Sequence, residues 1–172
     1  MTGTATARPV PVTGDSFRDA LGRHAAGVVV VTSQPGSGAP AGLTATSFTS
    51  VSLEPPLVSF YVAATSSTFP RLREAASFAV NVLGDDQAEL AARFAARGED
   101  RFAPPTRWRP GPSGEPLLEG AAARLRCGWH SVRAIGDHLL VVGEVVGVEL
   151  GAADAPLLYH RGRFGRFRAH RR

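Results

Sequence analysis

Thr44, Thr46, Ser47, Thr49 and Ser50 fall within seven residues that carry no charge, between two segments that read as β-strands. A buried strand gains nothing from unpaired hydroxyls, so these side chains either face solvent from an edge strand or pair with a bound polar ligand. Pro55 and Pro56 end the segment and set up the next run, Leu57 to Val62, which fixes the backbone around it. Other reactive types lack the company they need. His24, His130, His138, His160 and His170 are scattered, and Cys127-Gly128-Trp129-His130 supplies at most two metal ligands with no second pair at zinc spacing, so no metal is expected. Serine, histidine and acid all occur, yet no Gly-x-Ser-x-Gly elbow marks a nucleophile. Gly36-Ser37-Gly38 opens no helix, and a chain without lysine has no Walker A sequence, so Rossmann and P-loop assignments are excluded.

The elements that position these residues must come from 172 residues, the length of one domain that buries roughly two-thirds of its unfolded surface. All 19 basic residues are Arg and Ile135 is the only isoleucine, a GC-rich coding bias without functional meaning. Six of the Arg lie between Arg161 and Arg172, which leaves residues 1 to 160 with 13 Arg against 15 acids. The charge of +4 is therefore a property of the tail, and neither a nucleic-acid surface nor a membrane partner is expected. Cys127 is the only cysteine, so there is no intrachain disulfide or Cys-x-x-Cys redox pair. Met1 to Pro11 lacks the apolar stretch of a signal peptide and no apolar run reaches 18 residues, which points to the cytoplasm.

Residues 1–13 read as a flexible lead. Ser16 and Asp19 are spaced as a capping box, with Phe17, Leu21 and His24 on one helical face, so a helix is expected from near Asp15 to Gly27. Val28 to Thr32 is a β-branched strand, and Gln34 to Pro40 a hairpin loop feeding the polar strand from Ala41. Leu57 to Ala63 follows as a strand, Ser67-Thr68 as caps of a brief helix through Phe69 and Leu72, and Phe78 to Leu83 as another strand. Asp85 is expected to cap a helix that carries Leu90 and Phe94 and ends at Gly98. Residues 99–120, with five prolines and no periodicity, read as a functional loop, a lid or a passive surface excursion. Ala121 to Val132 and Leu139 to Leu150 form two strands across Gly136-Asp137. The sum is a mainly β fold, a closed or nearly closed antiparallel barrel with a few flanking helices.

Several pieces stand in the order of one known family: Phe17-Arg18-Asp19-Ala20-Leu21-Gly22 before Gly27 to Thr32; Gly42 to Ser47, then Ser50-Val51-Ser52 and Pro55-Pro56-Leu57-Val58; Phe78 to Leu83; Arg93-Phe94; Gly136-Asp137-His138; and Pro156 to Gly162. Across residues 16–165 the chain resembles the short flavin reductases, reductase components of two-component flavin-dependent monooxygenases. The resemblance implies a Greek-key, antiparallel split β-barrel over residues 14–165, with an Arg-rich tail from Arg166, in a homodimer that reduces FMN or FAD with NADH or NADPH and supplies a partner oxygenase.

It also implies a site. Gly42, Leu43, Thr44, Thr46 and Ser47, with Val62 and Ala63, would hold the flavin ring and ribityl chain, Ser67 and Thr68 its phosphate, and Arg93 beside Phe94 would neutralise phosphate charge. His138 would act on the nicotinamide, with Tyr159, His160, Arg161 and Gly162 on the same side. Phe164 stands where tyrosine is frequent in the family, and His160 precedes Arg161. Hydride transfer between two stacked rings needs no protein nucleophile, so the missing triad is no objection to an enzyme. A non-catalytic flavin carrier on the same barrel and a pyridoxamine-phosphate-oxidase-like enzyme are the alternatives, the latter short of basic residues for a second phosphate.

Overall fold

The computed structural model describes residues 11–36, 38–98 and 100–170, so residues 1–10 of the expected lead and the last two of the tail lie outside the described residues. Twelve strands and three helices are described: α1 (Gly14–Gly22), β1 (Ala26–Gly27), β2 (Val29–Ser33), β3 (Ala41–Ala45), β4 (Thr49–Leu53), β5 (Pro56–Ala63), α2 (Phe69–Arg73), β6 (Ser77–Val82), α3 (Ala88–Ala95), β7 (Trp108–Pro110), β8 (Pro116–Leu118), β9 (Ala123–Ile135), β10 (His138–Leu150), β11 (Leu157–His160) and β12 (Arg163–Arg166). Seven of the strands make one antiparallel sheet in the order β3-β2-β6-β9-β10-β5-β4. Its spine is the β9–β10 hairpin, turned at Gly136-Asp137 with Gly136 at φ 60°, a left-handed conformation that glycine adopts without strain.

The polar segment divides between the two edges of this sheet. β3 pairs only with β2 and β4 only with β5, so the single strand expected from Ala41 is two strands with a break at residues 46–48. Of the closed or nearly closed barrel expected, the structure has the open form, split between β3 and β4, because among the described residues no ladder joins β3 to β4 or β5. The sheet curls nonetheless. Val31, Ala45, Phe60, Phe78, Val80, Cys127 and Val141 from β2, β3, β5, β6, β9 and β10 pack into one interior cluster. Each fully buried Phe or Val there contributes roughly 1.5–3 kcal/mol. At the seam Ser47 bridges the edges: its Oγ donates to Tyr61 O at 3.3 Å and accepts the Tyr61 N–H at 2.9 Å.

β2 is buried along its whole length, as its unbroken β-branched run requires. Through Val30 its second face joins a second cluster with Val28, Leu83, the α3 residues Ala91 and Phe94, Leu118 of β8 and Leu157 of β11. Residues 100–120 are not a bare loop. They hold the β7–β8 hairpin, place Phe102 and Trp108 against this cluster, and are tied down by Asn81, which accepts the Leu118 N–H at 2.8 Å and donates to Val30 O, and by Thr32 Oγ1, which donates to Pro116 O at 2.6 Å. Buried polar groups satisfied in this way pin a segment that has no periodicity of its own.

The helix ends differ from expectation wherever a competing side chain makes the better cap. Thr13 and Ser16 form the box of α1, not Ser16 and Asp19, and the helix stops at Gly22. None of its residues is buried, which leaves Phe17 and Leu21 more than half exposed. Thr68 is the N-cap residue of α2, as expected, but its side chain makes no capping bond; Ser66 Oγ accepts the Phe69 N–H at 3.2 Å instead. Gln87, not Asp85, precedes α3; its Oε1 accepts the Gly84 N–H while Asp85 pairs with Arg166 Nε at 3.2 Å. β11 and β12 form a separate small sheet with β1.

Candidate functional site

The break between β3 and β4 leaves a groove at the split. It is walled by Leu43 and Thr44 of β3, Tyr61, Val62 and Ala63 of β5, Phe94 and Ala95 of α3, and Ser66, Ser67 and Thr68 ahead of α2, around about 530 Å³. Thr44 is positioned by its own hydroxyl, which donates to Ala91 O at 2.7 Å and ties β3 to α3. Gly42 is needed for close approach: a Cβ there would lie 2.6 Å from Phe94 Cε1. One end of the groove is thus apolar with backbone edges exposed, a surface suited to a flat ring.

The other end is cationic. Arg97 and Arg101 line it together with Ser67 and Thr68, and a second cleft of about 420 Å³ continues from those same four residues past Gly42, Pro40, Arg71, Asp100 and Phe102. Arg101 is a clamp. Its Nη1 donates to Gly42 O at 2.5 Å and to Thr68 Oγ1 at 3.0 Å, and its Nη2 to Ala96 O, so one guanidinium joins β3, the start of α2 and the end of α3. Its planar fork of donors suits three fixed acceptors. Among the described lining residues three arginines stand against one aspartate, which favours an anion at this end.

The expected flavin residues divide accordingly. Leu43, Thr44, Val62, Ala63, Ser67, Thr68 and Phe94 line the groove, and Gly42 lines the adjoining cleft. Thr46 and Ser47 line neither, and the hydroxyls of Thr44 and Ser47 donate to Ala91 O and Tyr61 O, so each has a protein partner. Arg93 lines a different cleft with Asp86, Glu89 and Arg107. The groove's cations are Arg97 and Arg101, which the reading missed because the helix ends at Ala95 and turns the chain after it. Their spacing of four beyond Arg93 was the available signal.

His138 sits at the groove's rim, in register with Ala63, while Ala64 N–H donates to Asp137 O. Its Nδ1 lies 2.6 Å from Asp137 Oδ1, and this hydrogen bond, then the charge of His138, holds the Asp137 carboxyl below its usual range. Tyr159, His160, Arg161 and Gly162 are elsewhere. They belong to the β11–β12 hairpin, where Arg161 and Gly162 both take positive φ, and the cleft beside it, about 470 Å³ against His160, Arg161, Arg163, Phe164 and Gly165, shares no lining residue with the groove. Within one chain the two halves of the expected nicotinamide site are not brought together. Among the described residues no three His, Cys, Asp or Glu side chains are placed to hold a metal ion, and no helix is long and apolar enough to cross a membrane.

Fold and site together define an antiparallel split barrel with a cationic ligand groove at its split. Residues 21–168 match the flavin reductase like domain. An NADH:FMN oxidoreductase of Rhodococcus qingshengii is 47% identical over 154 residues, covering 87% of this chain and 80% of that protein. The crystal structure of a nitrilotriacetate monooxygenase component B homologue from Mycobacterium thermoresistibile superimposes with a TM-score of 0.85 at 35% identity, over 90% of this chain and 86% of that one. An NADH:FAD oxidoreductase of Streptomyces globisporus, solved with NAD and FAD fragments, gives 0.82 at 40% identity, over 90% and 92%. The chain belongs to the flavin reductase like family.

Proposed function

We propose that the chain is an NAD(P)H-dependent flavin reductase that reduces FMN or FAD and passes the product to a partner oxygenase. The observation that carries this reading is the groove itself, lined by the apolar Leu43, Ala63 and Phe94 and by the cationic Arg97 and Arg101. Such a gradient matches an isoalloxazine ring joined to a phosphate. When bound, the flavin supplies the ring that accepts a hydride from the reduced nicotinamide, with one proton completing the reduced flavin.

The chain's residues bind and orient. Leu43, Val62, Ala63 and Phe94 hold the ring, with Thr44 along its polar edge. Ser67 and Thr68 donate to the phosphate, Arg97 and Arg101 neutralise it, and the role first given to Arg93 passes to this pair. His138 contacts the nicotinamide at the rim, fixed by Asp137, and Tyr159, His160, Arg161 and Gly162 meet the dinucleotide. Because this hairpin is apart from the groove in one chain, the reading includes a homodimer in which two copies complete the nicotinamide site. The exposed apolar side chains Phe17, Leu21, Val146, Val148 and Leu150 support an interface of that kind. A nicotinamide reductant places the work in the cytoplasm.

Purified protein mixed with NADH should oxidise it only when FMN or FAD is present, seen as loss of the reduced-nicotinamide absorbance. Tight flavin binding without that loss would refute the reductase and leave a carrier. Sedimentation giving a monomer at assay concentration would refute the shared site.

A further inference from the structure

The flavin groove does not end at the residues given to its first phosphate. Ser67, Thr68, Arg97 and Arg101 line both the 530 Å³ groove and the 420 Å³ cleft beyond, so the two volumes adjoin at the anion-binding residues. Each volume alone falls within the roughly 300–1,000 Å³ of ordinary small-molecule sites. The far cleft carries its own chemistry. Arg71 stands on α2 with one of its five N–H donors used on Ala39 O at 3.0 Å, and Arg97 forms no ion pair among the described residues. Asp100 is held in place by accepting the Phe102 N–H at 3.1 Å, and Pro40 and Phe102 give the wall an apolar part.

Two guanidiniums, a fixed carboxylate and an apolar wall are the partners of a further phosphate, a ribose diol and a base. FAD differs from FMN by these three groups, the AMP half. We propose that the far cleft seats the AMP half of FAD, and that Arg71, which lines this cleft and not the main groove, makes the chain select FAD over FMN. This inference rests on the flavin reading of the main groove. The ADP half of the reduced nicotinamide dinucleotide carries the same groups, but it enters with a ring that must stack on the flavin from the open side. The cleft instead continues from the phosphate end.

The experiment compares oxidised riboflavin, FMN and FAD by fluorescence titration of the wild type and of Arg71→Ala, which touches only the far cleft, with the KM for NADH measured on FMN. The wild type should bind FAD about tenfold or more tighter than FMN. Arg71→Ala should weaken FAD by about tenfold and leave FMN, riboflavin and the KM for NADH within about twofold. Unchanged riboflavin affinity reports an intact fold. Equal loss for FMN and FAD overturns the assignment, and so does a raised KM for NADH with FAD affinity kept, which gives the cleft to the reductant. FMN and riboflavin bound by a wild type that holds FAD no tighter overturns this inference alone. A wild type that binds none of the three overturns the flavin reading with it.

Discussion

Gly42→Ala is the sharpest probe of how the groove is built. The added methyl would lie 2.6 Å from Phe94 Cε1, 2.9 Å from Cδ1 and 3.1 Å from Val31 O, where ordinary contact begins at 3.4 Å. Neither neighbour yields cheaply. The Phe94 ring is 1% exposed and meets Phe102 edge-on at a centroid distance of 5.1 Å, and Val31 is an interior residue of β2, paired on both sides. Overpacking of this kind costs about 1–3 kcal/mol. For a chain of this length each kcal/mol moves the Tm by roughly 2–4 °C, so a fall of roughly 2–12 °C is expected. Phe94 lines the groove, and its displacement should also raise the flavin Kd, by about fivefold or more. Thermal melts without ligand and fluorescence titration with FMN read the two effects. In the Gly42→Ala background, Phe94→Leu should restore part of the Tm although it destabilises the wild type, a coupling of about 0.5–3 kcal/mol. A Gly42→Ala protein with wild-type Tm and Kd, or a double variant that is merely additive, would refute the close approach.

Ser47→Ala should lower stability by about 1 kcal/mol in urea, since it removes the bridge to Tyr61 across the seam, while Thr46→Ala, exposed and outside the groove, changes it little; equal effects would sink the seam. Burial, then the nearby Glu115 charge, pushes the Cys127 thiol from 9.0 up to about 12, so the folded protein keeps a proton that the unfolded chain loses between those values. Stability should accordingly fall as pH rises from 9.0 towards 12, by about 1.4 kcal/mol per pH unit, and Cys127→Ala should lack this component of the slope in alkaline denaturation curves. Deleting residues 167–172 should leave flavin reduction at the wild-type rate, whereas extending the deletion to Arg166 removes its ion pair with Asp85 and the last β12 pairing with Leu157, and should lower the Tm.

Local pattern was enough for most of the strands. The β-branched run of β2, the alternation in β5 and the two long arms around Gly136-Asp137 lie in the chain itself, because the side-chain period of a strand and the turn between neighbours depend on adjacent residues. The polar segment was legible as unusual, and its hydroxyls and glycine did mark the split. What they bond to was not. Thr44 reaches Ala91, 47 residues away, and Ser47 reaches Tyr61, partners that exist only after β3 and β4 have gone to opposite edges. The cations of the groove escaped for a similar reason. Arg93, Arg97 and Arg101 look like one stripe of a helix, but α3 ends at Ala95, and the next residues are drawn onto β3 and α2 by the Arg101 clamp. The packing of residues 100–120 hangs on Asn81 and Thr32, and the separation of the Tyr159 to Gly162 hairpin from His138 on which sheet each strand joins. Residue types and periods decided which elements form; pairings distant in sequence decided which side chains face one another, because a hydrogen bond or ion pair needs both partners placed and the chain between them does not encode that placement locally.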